Sequence, residues 1–294
     1  MSSSIVIIGN PVSRQASPEK FRAVTSFFEG KGHSTELLIT RKRGDAEEFA
    51  RQAAARHPDM LISAGGDGTI NEVVNGLAGS GVPLAIIPLG TTNVLAREIF
   101  PHRTFSEVLE VIAGGRPRNV SLGRIEHRSG ERQESRLFCL MAGIGFDGQA
   151  VRDVNLRLKG YTGPGAYVLS GLKTLARYAP PEIVLRVDGQ EISGYAAIIG
   201  NISRYGGDFR VTPDARIDDP QLYACVFRGK RRLDLLRYVL MLPFGRHIKA
   251  PDVTYVRAKE IVVRGSAPMQ IDGDYLGSSP AVITVSPDPL RLIY

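Results

Sequence analysis

The sequence predicts an α/β domain built on a parallel sheet, followed by an antiparallel β-sandwich domain. Up to Gly115, short apolar runs alternate with segments of helical period, the pattern of βαβ units. Beyond Arg116-Pro117-Arg118 the helical signals thin out and strand-like runs with polar connections take over (NVSLGRIE, RLFCLMA, QLYACVF, EIVVRG, AVITVS, LRLIY). Two early apolar runs, one followed by the glycine cluster at 65–68 and one by Gly90, lead directly into helices, a junction that aims backbone N–H groups outward.

Ile5–Gly9 reads as the first strand and Asn10-Pro11-Val12-Ser13 as the turn after it. Ser17-Pro18 then opens a helix, as N-cap and first helical position. Thr35–Thr40 is the second strand. Asp45 with Glu48 three residues on reads as a capping box before the next helix. Met60–Ala64 is the third strand and Thr69–Gly79 the helix after its glycines. Leu84–Pro88 is the fourth strand, with a helix over Thr91–Ile99. In the second half, Asp188-Gly189 and Asp272-Gly273 have the chemistry of two-residue hairpin turns. Basic helical stretches interrupt the strands near 150–178 and 231–247. The predicted division is an α/β domain over 1–120 and a β-sandwich domain over 121–294.

Composition supports a folded chain. Of 294 residues, 43% are hydrophobic and 23% charged, which excludes a disordered or fibrous protein. No apolar run nears the ~18 residues of a spanning helix, and MSSSIVIIGN lacks the basic start of a secretion signal. The net charge of +7 favours acidic partners such as nucleotide phosphates or an anionic membrane face. Cys139 and Cys225 sit in apolar runs and read as buried free thiols of a reducing compartment. The five histidines lack metal-ligand spacing.

The chemistry concentrates in Ser63-Ala64-Gly65-Gly66-Asp67-Gly68-Thr69-Ile70-Asn71-Glu72. Its glycines let a phosphate approach the main chain, Thr69 offers a hydroxyl, and Asp67 supplies a carboxylate for Mg²⁺ or a reacting hydroxyl. No Gly-Lys-Ser/Thr follows, so this is not a P-loop. Pro88-Leu89-Gly90-Thr91-Thr92-Asn93 repeats the strand–glycine–helix design, and Asn10–Arg14 adds a third loop. Loops at the carboxyl ends of strands in one sheet flank the crevice where open α/β sheets bind ligands.

Asn10-Pro11, GGDGTINEVVNG (65–76), PLGTTN (88–93), GIGFDG (143–148), PDARIDDPQL (213–222) and IDGD (271–274) together resemble the diacylglycerol kinase catalytic family, in its soluble bacterial branch related to sphingosine and ceramide kinases. The resemblance runs in order over essentially the whole chain. It implies two domains enclosing a cleft where MgATP phosphorylates a lipid hydroxyl, and a C-terminal segment that returns, here over a short length, to the first domain. It places ATP against Asn10, Pro11, Val12, Ser13, Arg14, Thr40, Gly65, Gly66, Asp67, Gly68, Thr69, Asn71, Glu72, Gly90, Thr91 and Asn93. Phosphoryl transfer to an alcohol also needs a proton acceptor. The resemblance offers Asp67, for phosphate, Mg²⁺ and activation, and Asp274, as formal base. A structural Mg²⁺ maps onto the carbonyls of Arg216 and Gln221 and the side chain of Asp219. Asp147 would meet a lipid head group or cap the helix after it.

Three positions depart from the family pattern: Asp274 stands for the usual glutamate, Val94 for an aspartate common in diacylglycerol kinases, and Pro220 for a glycine. Two basic stretches suit an anionic membrane surface: Arg152, Arg157, Lys159, Lys173 and Arg177, and Arg228-Gly229-Lys230-Arg231-Arg232 before LDLLRYVLMLPFG. The reading is therefore a cytoplasmic ATP-dependent lipid kinase peripheral to the inner face of the membrane, with no nucleic-acid module and with a homodimer compatible. NAD kinase, which shares the GGDGT loop, is the alternative enzyme. A catalytically weak nucleotide- or lipid-binding protein is the alternative outside enzymes, kept open by Val94, Asp274 and Pro220.

Overall fold

The computed structural model describes residues 3–130, 132–157, 181–206 and 208–294. They divide into two compact units, Met1–Ser121 with Pro287–Tyr294, and Leu122–Ser286.

The first unit is α/β. Strands β1 (Ser4–Gly9), β2 (Ser34–Ile39), β3 (Met60–Gly65), β4 (Leu84–Pro88), β18 (Leu290–Ile293) and β5 (Pro117–Val120) form one sheet in the order β2-β1-β3-β4-β18-β5. All neighbours are parallel except β18 and β5. The residues explain the order. β1, β3 and β4 are nearly unbroken apolar runs and are buried, as strands covered on both faces must be. At the edge, β2 has several exposed residues.

Helix α1 (Pro18–Gly30) starts as its sequence demands, with the Ser17 hydroxyl accepting from Lys20 N at 3.2 Å and Pro18 in the first turn. Helices α2 (Asp45–Ala54) and α3 (Asp67–Leu77) pack on each other, and α1 touches α5 (Phe105–Gly114). Right-handed crossovers produce this: the β1–β2 connection and the β2–β3 and β3–β4 connections run in opposite directions along the sheet, so α1 covers one face and α2 and α3 the other.

The capping box expected at Asp45 and Glu48 does not form. The N-cap is Gly44 in a left-handed conformation, and the Asp45 carboxylate instead accepts from Arg41 N and Lys42 N in the preceding turn, at 2.8 and 3.0 Å. Two other boundaries also move. α3 begins at Asp67, two residues before the expected start, and α4 (Val94–Ile99) begins three residues late because Asn93 is left-handed at φ 47°.

The second unit holds two six-stranded antiparallel sheets. One runs β10-β9-β14-β17-β6-β7 and the other β13-β12-β11-β8-β15-β16. The first uses Gln190–Gly194, Ile183–Val187, Glu260–Arg264, Ala281–Val285, Gly123–Ser129 and Arg132–Phe138; the second uses Val253–Ala258, Leu222–Phe227, Ala196–Gly200, Met141–Ile144, Pro268–Ile271 and Asp274–Ser278. Inward residues of both, including Ile125, Phe138, Ile144, Leu185, Ile199 and Ile283, form one core, which makes the unit a sandwich. Both Asp-Gly pairs turn hairpins, with positive φ at Asp188, Gly189, Asp272 and Gly273, as a type I′ turn requires.

Helix α6 (Phe146–Arg157) packs against β15 and β16, and α7 (Arg232–Met241) continues into short 3-10 turns at Leu242–Phe244 and His247–Lys249. Lys159, Lys173 and Arg177, and most of the expected basic helical stretch, lie outside the described residues. Cys139 and Cys225 are buried and unbridged, and burial pushes the Cys225 thiol up to about 12. Among the described residues no helix is long and apolar enough to cross a membrane.

Candidate functional site

In a sheet ordered β2-β1-β3-β4, the connection after β1 leaves one way and the connection after β3 the other. The space between their carboxyl ends is the topological switch point, where open sheets bind ligands. Three loops meet there, and hydrogen bonds tie them together. Asn10 Nδ2 donates to Thr69 Oγ1 at 2.9 Å, and Asn10 Oδ1 accepts from Val12 N at 3.1 Å. The loop after β1 reaches the loop after β4 through Gln15, whose backbone N donates to Leu89 O at 2.8 Å and whose Nε2 donates to Gly90 O at 3.1 Å.

The two glycine loops touch backbone to backbone: a Cβ on Gly90 would lie 2.6 Å from Gly66 Cα, and one on Gly66 3.2 Å from Gly90 Cα. A side chain at Gly90 would collide with the first loop's backbone, and one at Gly66 would push the loops slightly apart. Asn93 folds the second loop onto itself, accepting from Gly90 N at 2.8 Å and donating to Gly90 O at 3.1 Å.

Asp67 joins the loops electrostatically. It is the first residue of α3, and its carboxylate accepts from Val94 N at 3.0 Å, Thr92 Oγ1 at 3.2 Å and Leu95 N at 3.3 Å. It therefore caps α4, a favourable place for an anion. Burial nevertheless holds its carboxyl above the ordinary aspartate range, against the pull of those donors. Within α3 the first backbone bond runs from Ile70 N to Gly66 O, so the N–H groups of Gly68 and Thr69 have no carbonyl inside the helix. Nothing lies within 4 Å of where a Gly68 Cβ would stand. An open helix start with orphan donors fits a phosphate.

The rest of the expected nucleotide set divides in two. Pro11, Val12, Arg14 and Thr91 are exposed beside the loops, Ser13 is half-buried, Gly65 ends β3, and buried Thr40 follows β2, its N bonded to Gly9 O. Asn71 and Glu72 do not join them. Asn71 is buried and accepts from Asn75 Nδ2. The Glu72 carboxylate accepts from Gly44 N at 3.0 Å and Ala46 N at 3.2 Å, and so supplies the cap that α2 lacks. Gln15, which the sequence reading missed, carries no signal there, since it is one polar residue in a polar loop.

In the second unit, Asp274 opens β16 directly after the Asp272-Gly273 turn. Asp272 anchors that turn: its oxygens accept from Cys139 N, Leu140 N and Met141 N at 2.8, 2.9 and 3.0 Å. Asp147, expected at a lipid head group or as a cap of the helix after it, is buried in the first turn of α6. Its oxygens accept from Tyr205 Oη and, at 2.6 Å, from Gln270 Nε2, and burial raises its carboxyl above the ordinary range.

The expected Mg²⁺ loop is a turn in which Asp219 N donates to Arg216 O and Gln221 N to Asp219 O. The Arg216 guanidinium grips Asp218 at 2.9–3.0 Å, and among the described residues no hydrogen bond or ion pair engages the half-buried Asp219 carboxylate. Two carbonyls and an uncommitted carboxylate are the hard oxygens Mg²⁺ prefers, so the donor set fits.

An α/β unit with apposed glycine loops at its switch point, followed by an antiparallel sandwich, has the layout of a two-unit protein that can cradle phosphate at one sheet end. The family model "Diacylglycerol kinase catalytic domain" matches residues 4–125, and "YegS C-terminal NAD kinase beta sandwich-like domain" matches 141–294. The diacylglycerol kinase of Bacillus subtilis (strain 168) is 32% identical over 282 residues, 93% of this chain and 90% of its own. That of Staphylococcus carnosus (strain TM300) is 30% identical over 282 residues, 94% and 90% of the two chains. A crystal structure of a diacylglycerol kinase from Bacillus anthracis str. Sterne superposes with a TM-score of 0.72 at 21% identity, covering 99% of this chain and 97% of that one. The chain belongs to the diacylglycerol kinase family. Membership makes it a kinase-family protein whose family phosphorylates an alcohol, and it implies use of ATP.

Proposed function

We propose that this chain transfers the γ-phosphoryl group of ATP to the hydroxyl of a membrane lipid, a diacylglycerol, ceramide or sphingoid-like alcohol. One observation carries the reading: Gly66 and Gly90 meet at the switch point with Asp67 between their loops. The N–H groups of Gly68 and Thr69 would bind the phosphates, with Asn10 fixing Thr69 and Arg14 and Thr91 at the rim. Bound Mg²⁺ would spread the charge developing across the transferring phosphoryl group, held at Asp67, with a structural ion at Arg216, Asp219 and Gln221. Asp274 accepts the proton of the lipid hydroxyl, the lipid oxygen bonds the γ-phosphorus, and the bond from that phosphorus to the bridging oxygen breaks to release ADP.

The acceptor is a membrane lipid, so the protein must meet a bilayer. We assign an anionic bilayer to the outer face of α7, peripheral to the cytoplasmic leaflet. Leu233, Leu236 and Leu240 recur there at helical spacing, and with Val239 and Phe244 they are exposed, from 36% to 75%. Arg228, Lys230 and Arg231 precede the helix, Arg232 opens it, and Arg246 and Lys249 follow it. Apolar side chains within a basic collar match anionic lipid.

The test is transfer of label from ATP to diacylglycerol, ceramide, sphingosine and monoacylglycerol in mixed micelles, with NAD in parallel, by wild type, Asp67→Asn and Asp274→Asn. Label entering one lipid with wild type, and strongly reduced in both variants, is the expected result. Label in NAD alone, or none in any acceptor despite ATP binding, overturns the reading.

A further inference from the structure

Asp147 has no place in the transfer step as a ligand, because its carboxylate is buried and both oxygens are engaged. The group it holds leads directly to Asp274. Gln270 is itself buried, at 2% exposure. Its Nε2 donates to Asp147 Oδ2 at 2.6 Å, while its Oε1 accepts from Gly273 N at 2.7 Å. Gly273 is the second residue of the turn, and the next residue is Asp274.

An amide can face these neighbours in one way only. A carboxylate accepts, a backbone N–H donates, and the amide must present its NH₂ to the first and its oxygen to the second. The Asp147 carboxylate therefore sets the orientation of Gln270, which sets the Gly273 half of the turn. Asp272 sets the other half through residues 139–141. Gly143 makes the room: a Cβ there would overlap the Asp147 carboxylate and lie 2.8 Å from Gln270 Nε2. The register shift between Met269 and Gln270 in the β15–β16 pair sits beside this chain, and such bulges re-aim a neighbouring side chain.

We propose that Asp147 is a positioning residue, which through Gln270 and Gly273 holds Asp274 in place for its work on the lipid hydroxyl. The proposal rests on Asp274 being the proton acceptor, and its structural half can be read without activity.

The experiment compares wild type with Asp147→Asn, Gln270→Met and the double variant Asp147→Asn/Gln270→Glu. Two readouts are used: hydrogen exchange in the peptide 269–276, and kcat and KM for the lipid. In Asp147→Asn the new NH₂ competes for the amide's oxygen. Exchange at Gly273 should quicken about tenfold and kcat should fall about ten- to hundredfold, with KM for lipid within about twofold. Gln270→Met cuts the chain at its other link and should give the same signature, whether or not Asp147→Asn folds.

The double variant inverts the pair. The new amide donates to the new carboxylate, whose second oxygen again accepts from Gly273 N, so both exchange and kcat should recover. A raised KM with unchanged kcat and exchange in Asp147→Asn would make Asp147 a lipid contact and overturn the proposal, as would a double variant no better than the single. If wild type phosphorylates no lipid, the proposed function fails, while the exchange pattern still decides whether Asp147 governs the turn.

Discussion

Asp67 is asked to do two things with one carboxylate. It caps the start of α4 by accepting from Thr92, Val94 and Leu95, and it stands between the glycine loops where phosphate charge would gather. Asp67→Asn removes the charge and leaves one acceptor atom for three donors. Turnover should fall about 10²-fold or more, and stability should drop by about 1–3 kcal/mol, read by urea denaturation. The variant also tests the titration. Burial raises the Asp67 carboxyl in the folded chain, whereas the unfolded value is about 3.9. Between these values the folded state binds the extra proton, so the stability this carboxyl contributes is fully present below pH ~4 and is lost as pH rises through the folded value. Relative to Asp67→Asn, which does not titrate, wild type should be most favoured at pH ~4 and progressively less as pH rises. A difference that grows with pH would mean the three donors outweigh burial. The sequence made Asp67 legible as chemistry because glycines flank it. Its capping role was not legible, since its partners lie 25–28 residues away.

At the level of elements, local patterns hold where the partners are local. Ser17-Pro18 starts α1 as read because the donor is three residues on. The Asp45–Glu48 box fails because its parts are engaged elsewhere: Asp45 N donates to Lys42 O, Glu48 N to Gly44 O, and the Asp45 carboxylate turns back to Arg41 N and Lys42 N. A carboxylate from another helix, Glu72, takes Gly44 N and Ala46 N instead, and no window of neighbouring residues contains that partner. α7 poses the same question toward solvent. One side buries Leu235 and Tyr238 while Leu233, Val239, Leu240 and Phe244 stay exposed. Arg237 is tied to Asp252, so it adds little free charge to the collar. Replacing Leu233, Leu240 and Phe244 by Ser should lower sedimentation with anionic vesicles at every salt concentration. Neutralising Arg231 and Arg232 should weaken binding by about 1 kcal/mol each at low salt, about tenfold or more together, and by less at high salt. Unchanged sedimentation in both variants would remove the bilayer from this face. A change in oligomeric state on the Leu→Ser and Phe→Ser replacements would assign it to a second copy of the chain.

At the scale of the whole chain, the first unit is not closed by the residues that begin it. The chain leaves that unit at Ser121 and re-enters it at Pro287, and the last strand is the link on which an edge of the sheet depends. β18 pairs with β4 on one side and with β5 on the other, and among the described residues β5 has no other neighbour in the sheet. The run LRLIY announces a strand, but parallel pairing with Leu84 and antiparallel pairing with Val120 depend on chain ends that only the folded topology brings together, so the run's own pattern does not assign its sheet and only the family resemblance pointed to the first domain. Leu290, Leu292 and Ile293 are all buried. At ~1.5–3 kcal/mol per fully buried side chain, deleting 287–294 forfeits about 5–9 kcal/mol, comparable with the ~5–15 kcal/mol that holds an ordinary domain together. The truncated chain should therefore lose the thermal transition of the first unit and its ATP binding while keeping the transition of the antiparallel unit. Leu292→Ala, a milder form of the same test, should lower only the first transition, by about 2–5 kcal/mol. A truncated chain that still bound ATP with an unshifted transition would mean that β1, β3 and β4, with their helices, suffice, and that the returning strand covers an edge rather than completing the unit.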